Sequence, residues 1–296
     1  MEQKTGLIIK SLSGFYYVWC ETELIECRAR GAFRNQKQEL FVGDNVVIEM
    51  TDNGKGYVME VLERKNFLLR PPLANIDQLV MVISTCDPPP NLLVIDRLIA
   101  TAERKNINPI LVFTKKDRVD SHDFANIYRH AGFCALEVSN ATGEGIDEVR
   151  AQLIGKISAF SGNSGVGKSS LLNCIDSRLS IPIGETSKKL GRGRHTTRHV
   201  ELFPLPEGGY VADTPGFSAV SLGQIDKVLK ESLAECFREF APFTGGCQYT
   251  GCSHTNNERG CTVLAALERG EIEPTRHESY VSMWREVKDL KEWEFK

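Results

Sequence analysis

No apolar run in the 296-residue chain approaches the length that spans a bilayer, which excludes a membrane-crossing helix. The opening residues, MEQKTG, carry neither an apolar signal core nor an Arg/Ser-rich transit pattern. An excess of one charge is also missing. The 36 Lys+Arg against 39 Asp+Glu leave a formal net charge of −3, so any contact with a polyanion has to come from local patches. No heptad pattern announces self-association, and a monomer is expected. The nine cysteines are an odd number, and Cys20, Cys27, Cys86, Cys134, Cys174 and Cys236 are dispersed rather than grouped. They read as reduced thiols, and hence as a cytoplasmic chain.

What is present begins with GNSGVGKS, Gly162 to Ser169. A bound triphosphate needs close backbone N–H donors, so glycines must stand where side chains would collide. Gly162, Gly165 and Gly167 supply that closeness around Asn163, Ser164 and Val166. Lys168 can reach the β and γ phosphates, and the Ser169 hydroxyl can coordinate Mg2+. A helix is predicted from Ser169, with Ser170 in its first turn, and its free N–H groups and positive dipole end favour an anion. Upstream, Ile157 to Phe160 suits a buried strand. This strand, loop and helix context separates a phosphate loop from a chance Gly-rich turn.

The phosphate loop does not name the base. TKKD, Thr114 to Asp117, follows the apolar run Ile107 to Phe113 and so sits at a strand's C-terminal end, where open α/β sheets bind ligands. The Asp117 carboxylate can accept from both the ring N–H and the exocyclic amine of guanine, a donor pair that adenine lacks. Lys115 can pack its stem over the base, with Lys116 beside it. Thr114 stands where GTPases usually have Asn, which predicts a weaker hold on the nucleotide without a change of base. VSNATGEG, Val138 to Gly145, follows a second strand-like run and places Ser139 and Asn140 near the base. Either motif alone can be a solvated turn; together, ahead of a phosphate loop, they favour guanine, hence GTP and GDP.

DTPG, Asp213 to Gly216, follows Tyr210-Val211-Ala212. Asp213 can hold Mg2+ through water while the Gly216 N–H meets the γ phosphate. Phe217 comes next, where Ras-like GTPases place a water-orienting glutamine, and a phenyl ring can neither orient nor polarise water. Slow intrinsic hydrolysis is the expectation. In GRGRHTTRHV, Gly191 to Val200, His195 can position the attacking water and Thr197 can complete the Mg2+ shell. The alternative for His195 is a solvent-exposed loop histidine. Ordinary GTPases run phosphate loop, switches, then base loop, whereas here the base loop comes first. The chain therefore reads as a circularly permuted GTPase.

Near the C-terminus, Cys247, Cys252, His254 and Cys261 lie close together among small polar residues. Three thiolates and one imidazole can enclose one tetrahedral Zn2+ with no open position, a structural site. The spacing is not a common finger spacing, and scattered buried cysteines are the alternative.

The length suggests two or three domains. Residues 1–68 hold short alternating or apolar runs, Gly6 to Ile9, Phe15 to Cys20, Leu24 to Ala29 and Asn45 to Glu49, which predict a small β-barrel. VGDNVVIEM, Val42 to Met50, resembles an OB-fold segment. Within RARGAFRNQK, Arg28, Arg30, Arg34 and Lys37 interleave with Phe33, either a single-stranded RNA-binding stretch or a solvated hairpin loop. Residues 69–225 alternate strands with helices, including Leu92 to Lys105, as a parallel sheet requires. In 226–296, Thr275 to Glu278 reads as a capping box, and Tyr280, Met283, Trp284, Val287 and Leu290 as one apolar helix face.

The OB-like domain, the permuted motifs and the Cys-Cys-His-Cys module together resemble the RsgA (YjeQ/YloQ) family of bacterial small-subunit biogenesis GTPases along essentially the whole chain. The resemblance implies a multidomain α/β protein: an N-terminal OB-fold barrel, a permuted P-loop GTPase domain and a C-terminal helical zinc-binding domain. It implies binding to the 30S ribosomal subunit and its 16S rRNA late in maturation, with hydrolysis stimulated by that particle and linked to release. It also implies His195 as the switch histidine, Thr197 as the Mg2+ threonine and Phe217 as the hydrophobic replacement of glutamine. A GTP-gated rRNA-binding module in which hydrolysis is incidental remains open beside this.

Overall fold

Short strands joined by tight turns build the N-terminal part, and the computed structural model describes residues 2–30, 39–69, 71–181, 200–213, 228–256 and 258–290. Strands β1 (Gln3–Leu12), β2 (Phe15–Cys20), β3 (Glu23–Ala29), β4 (Asn45–Met50) and β5 (Gly56–Val61) close into a barrel in the order β1-β2-β3-β5-β4, with β4 pairing back on β1. Leu12 pairs with Phe15 and Cys20 with Glu23, while Ser13, Gly14 and Glu21 take positive φ, as two-residue hairpins demand. Ile8, Val18, Val46, Ile48 and Val58 point inward and are fully buried. In the VGD segment the buried Asp44 accepts from the Phe41 N–H at 2.7 Å and from Arg64 Nε at 2.6 Å. The Arg64 guanidinium stacks 4.3 Å from the Phe41 ring centre, which fixes the approach to β4. Of the basic segment, Arg28 stacks 4.5 Å from the Phe15 ring and Arg30 reaches Met59 Sδ at 3.4 Å; Phe33, Arg34 and Lys37 lie outside the described residues.

A hairpin of β6 (Phe67–Leu69) and β7 (Pro72–Ala74) leads into a six-stranded sheet. Its strands are β8 (Gln78–Ser84), β9 (Asn108–Thr114), β10 (Cys134–Glu137), β11 (Ile157–Ser161), β12 (Leu202–Pro204) and β13 (Tyr210–Asp213), in the order β10-β9-β8-β11-β13-β12. All neighbours are parallel except β12 on β13. β8 is buried along its whole length, as a strand covered on both faces must be. Its alternate residues divide between two cores. Leu79, Met81 and Ile83 pack with α1 (Leu92–Arg104) and α2 (His122–His130); Val80 and Val82 pack with α3 (Ile146–Leu153) and α4 (Lys168–Ile175). The first of these cores continues into the barrel, and Lys10 of β1 pairs with Glu201 at 2.9 Å.

This topology displays the permutation. β11, which feeds the phosphate loop, lies between β8 and β13. The strands that carry the base loops precede it in the chain, yet sit on the far side of β8 from it.

The C-terminal helices are α5 (Lys230–Leu233), α6 (Ala241–Thr244), α7 (Thr262–Glu268) and α8 (Pro274–Val287). Tyr280, Met283 and Val287 are buried in one core, with Trp284 and Leu290 packed against it, as their helical spacing predicts. The capping box expected at Thr275 is not there: α8 begins two residues earlier, with Glu273 as N-cap and Pro274 as its first residue. Proline fits that position because its missing N–H has no helical partner to serve and its φ is already helical. Arg276 is fully buried, its NH1 donating to Asp96 on α1 at 2.6 Å and its Nε to Glu239 at 2.7 Å. Its guanidinium stands 4.6 Å from the Phe237 ring centre. Burial alone would lower the arginine pKa, but the two carboxylates outweigh it and hold Arg276 charged. Among the described residues no helix is long and apolar enough to cross a membrane.

Candidate nucleotide site and metal centre

The phosphate loop hangs between β11 and α4. Gly167 is the N-cap of α4 with φ +94, and a Cβ there would stand 2.8 Å from Asn140 Nδ2. Gly165 also has positive φ (+84), but the nearest atom to a Cβ would be Pro88 Cδ at 3.9 Å. The loop is therefore closed on the Gly167 side and open at Gly165, the side a phosphate group can approach. Asn163, Ser164 and Gly165 are exposed, Val166 is buried as an anchor, and Lys168, Ser169 and Ser170 form the first turn of α4. The first-turn N–H groups of a helix have no partner within the helix, and with the positive end of its dipole they favour an anion.

Both base loops are bonded to this phosphate loop. Thr114 is fully buried at the end of β9, and its hydroxyl donates to the Val166 carbonyl at 2.6 Å. Its own carbonyl accepts from Thr85 at 3.0 Å. Asn140 Nδ2 donates to the Gly167 carbonyl at 3.0 Å. Ser139 is also fully buried and donates to Asp117 Oδ1 at 2.6 Å, which lowers the exposed Asp117 carboxyl below its ordinary pKa. The same Ser139 oxygen accepts from the N–H groups of Ala141 (3.3 Å) and Thr142 (3.2 Å), so the loop that carries it is tied to the group it orients. Lys115 takes φ +65 and donates to the Asp87 carbonyl, while Lys116 turns away to Glu144 at 2.5 Å. Asp87 and Glu144 are partners that the TKKD spacing did not reveal.

β13 ends at Asp213, in register with Phe160, so DTPG starts beside the beginning of the phosphate loop. Gly216, Phe217, His195 and Thr197 lie outside the described residues.

The four ligand atoms of Cys247, Cys252, His254 and Cys261 lie within 4.8 Å of one another. Zn–S bonds of about 2.3 Å and a Zn–N bond of about 2.0 Å at a tetrahedral angle place sulfur about 3.5 Å from nitrogen. The observed separations from His254 Nδ1 are 3.6 Å to Cys247 Sγ and 3.5 Å to Cys261 Sγ. Electrostatics agree with a dication here. Burial pushes the Cys252 thiol up to about 12 and also raises Cys261; the raising effect on Cys247 is outweighed by hydrogen bonds from Thr262. Three crowded thiols cannot all ionise alone, whereas a coordinated zinc ion deprotonates its thiols outright. Burial also lowers His254, keeping the imidazole neutral and able to donate a lone pair. The site would be closed by these four residues and would act as a structural cross-link.

Supporting groups lie on α8, where the sequence showed only an apolar stripe. His277 Nε2 bonds to the His254 carbonyl at 2.8 Å, and the Tyr280 hydroxyl donates to the Ser253 carbonyl at 2.8 Å. His254 holds φ +52, a left-handed conformation that these bonds keep in place. The i, i+3 spacing of a histidine and a tyrosine was the available signal.

Family models match both the barrel and the sheet: the RsgA N-terminal domain at residues 5–58 and the RsgA GTPase at residues 61–223. The small ribosomal subunit biogenesis GTPase RsgA of Caldanaerobacter subterraneus subsp. tengcongensis is 44% identical, covering 100% of each chain. That of Geobacillus thermodenitrificans is 44% identical over 97% of this chain and 98% of its own. Two solved structures are similar throughout. The crystal structure of YjeQ from Thermotoga maritima has a TM-score of 0.83 at 34% identity, covering 98% of this chain and 100% of the other. That of YloQ, described as a circularly permuted GTPase, has a TM-score of 0.80 at 34% identity, covering 98% and 96%. A permuted nucleotide sheet, a barrel ahead of it and a Cys-Cys-His-Cys centre behind it thus converge with these likenesses, and the chain belongs to the RsgA family of GTP-hydrolysing, circularly permuted GTPases.

Proposed function

We propose that the protein acts in biogenesis of the small ribosomal subunit: it binds the 30S particle and its 16S rRNA late in maturation, and hydrolyses GTP to GDP and phosphate on that particle. Particle-stimulated hydrolysis is linked to release. The observation that carries this reading is the full-length 44% identity to relatives named for that process, in a chain whose base and phosphate loops are bonded together. Three units divide the work, residues 1–68 contacting rRNA, 69–225 turning over GTP, and 226–296 folding around zinc, in a cytoplasmic monomer.

Within the nucleotide unit, Asp117, oriented by Ser139, reads guanine. Lys168 and the N–H groups of Gly162 to Ser170 hold the phosphates. Ser169 and Thr197 would hold Mg2+, with Asp213 reaching it through a water, and the ion would supply positive charge against the phosphates. His195 orients the attacking water in place of the glutamine that Phe217 displaces.

Purified protein should turn over GTP slowly alone and much faster with small subunits, and ATP in neither case. Equal use of ATP would overturn the role given to Asp117. His195→Ala should cut the stimulated rate by about 10²–10³-fold while particle binding with GTP persists; an unchanged rate removes His195 from the chemistry. Phe217 favours a second reading, in which GTP-dependent binding alone does the cellular work. Release of the His195→Ala protein from particles at the wild-type rate would select that second reading.

The pH dependence of GDP binding tests base recognition. As pH falls, binding is lost when Asp117 takes up a proton. Because the Ser139 hydroxyl lowers the Asp117 pKa, Ser139→Ala should begin to lose GDP at a higher pH than wild type. Superimposable titrations of the two proteins would remove Ser139 from recognition.

A further inference from the structure

Thr114 has one hydroxyl proton. Two carbonyls lie within its reach, Ile83 at 3.2 Å and Val166 at 2.6 Å, and the shorter contact belongs to the phosphate loop. With the side chain fully buried and its proton so committed, Thr114 has no donor left for a base or for a second loop contact. The next peptide of the phosphate loop is held from the other base loop. Asn140 Nδ2 lies 3.0 Å from the Gly167 carbonyl. A carbonyl only accepts, so the amide orientation of Asn140 is fixed by that contact. Asn140 Oδ1 is buried and has no hydrogen-bond partner among the described residues, so none of them would hold the amide if the Gly167 bond were lost. The Asn140 loop is tied again through its backbone, where its carbonyl receives the Cys174 thiol of α4 at 3.7 Å.

We infer that Asn140 is a positioning residue for GTP and GDP, forming with Thr114 a two-part brace that fixes the phosphate loop against the guanine-reading loops. This rests on the guanine site proposed above and deepens it. The two bonds go to the carbonyls of consecutive residues, Val166 and Gly167, from loops that follow different strands, β9 and β10. Each base loop is therefore clamped separately to one short stretch of backbone. The physical gain is pre-organisation: a ligand that bridges both half-sites benefits from their fixed separation, and a ligand that occupies only one does not. Threonine at position 114 therefore need not loosen the site, because the second donor is supplied by Asn140.

Asn140→Leu removes the donor at similar size and adds no charge, and Thr114→Val does the same at the other loop. Equilibrium binding of GDP, ADP, guanosine and inorganic tripolyphosphate is measured on the full chain for wild type, both single variants and the double variant. Each single variant should weaken GDP by about threefold to tenfold. The double variant should lose more than the product of the singles, since either brace partly covers for the other. Tripolyphosphate and guanosine, which each use one half-site, should stay within about twofold of wild type. That last result separates positioning from misfolding, which would weaken every ligand together. GDP binding by Asn140→Leu within twofold of wild type overturns the inference, as does a parallel fall in tripolyphosphate binding or a double variant equal to the product of the singles. Wild type binding ADP as well as GDP would overturn the guanine reading itself, and this inference with it.

Discussion

Cys252→Ser is expected to strip the protein of its stoichiometric zinc and to unfold the stretch that the ion holds together. The contrast with an ordinary core cysteine is large, because binding free energy at a structural zinc site is folding free energy, on the order of 10 kcal/mol or more for small zinc modules. Between Cys247 and Cys261 the chain has no strand and no α-helix among the described residues, and its carbonyls at Ser253 and His254 are held only from α8. Metal analysis of wild type should give one zinc per chain and of the variant close to none. Limited proteolysis should then cut the variant between 244 and 262 while the barrel and nucleotide sheet resist. A Cys252→Ser protein with full zinc content and wild-type resistance would show that this cluster is not a metal centre.

Arg276→Ala is expected to cost about 3–5 kcal/mol of stability, the usual result of leaving buried carboxylates without their cation. Asp96 and Glu239 are both buried, and each directs an oxygen at the guanidinium. Replacing all three by apolar residues of similar size, Arg276→Met, Asp96→Leu and Glu239→Leu, should recover most of the loss, because no charge then remains to be desolvated. Chemical denaturation followed by tryptophan fluorescence checks this, with Trp284 on the same helix as Arg276. A single variant within about 1 kcal/mol of wild type would mean that water reaches the site and the charges were never isolated. Since Asp96 lies on α1, the variant should also loosen the contact between the C-terminal helices and the nucleotide domain.

Arg276 also shows where sequence reading stops. The strands at Phe15–Cys20 and Ile157–Ser161 and the helix at Leu92–Arg104 were legible because apolar period and local breakers determine them. The phosphate loop, the TKKD turn and the Cys-Cys-His-Cys cluster were legible because their chemistry needs fixed residue types at short spacing. A lone arginine in an amphipathic helix, however, reads as solvated, since its partners Asp96 and Glu239 lie 180 and 37 residues away. Thr114 is a related case: as a replacement for asparagine it suggested a weaker hold, and its hydrogen-bond partner at Val166, 52 residues distant, lies beyond the reach of the motif. The start of α8 was misplaced by reading Thr275 as a cap and overlooking the stronger signal of Pro274 just before it. β5 (Gly56–Val61) went unread between two turns although the barrel cannot close without it.

The position of β11 between β8 and β13 also matters while the chain is being made. All five barrel strands lie between Gln3 and Val61, so the barrel can close early and leave no open edge to its neighbours in a crowded cell. β8 follows at once and finds β9 within about thirty residues of synthesis. Its other edge has no partner until Ile157–Ser161 has emerged. During that interval the growing polypeptide carries a strand with five consecutive apolar residues, Leu79 to Ile83, and an unpaired ladder of backbone groups, the kind of feature that recruits chaperones or pairs with a wrong partner. In an unpermuted arrangement the phosphate-loop strand would be made first and would wait for β8; here β8 waits for it. The reordering that leaves the finished sheet unchanged therefore falls on the nascent chain, and a translation pause before residue 157 is the moment of greatest exposure.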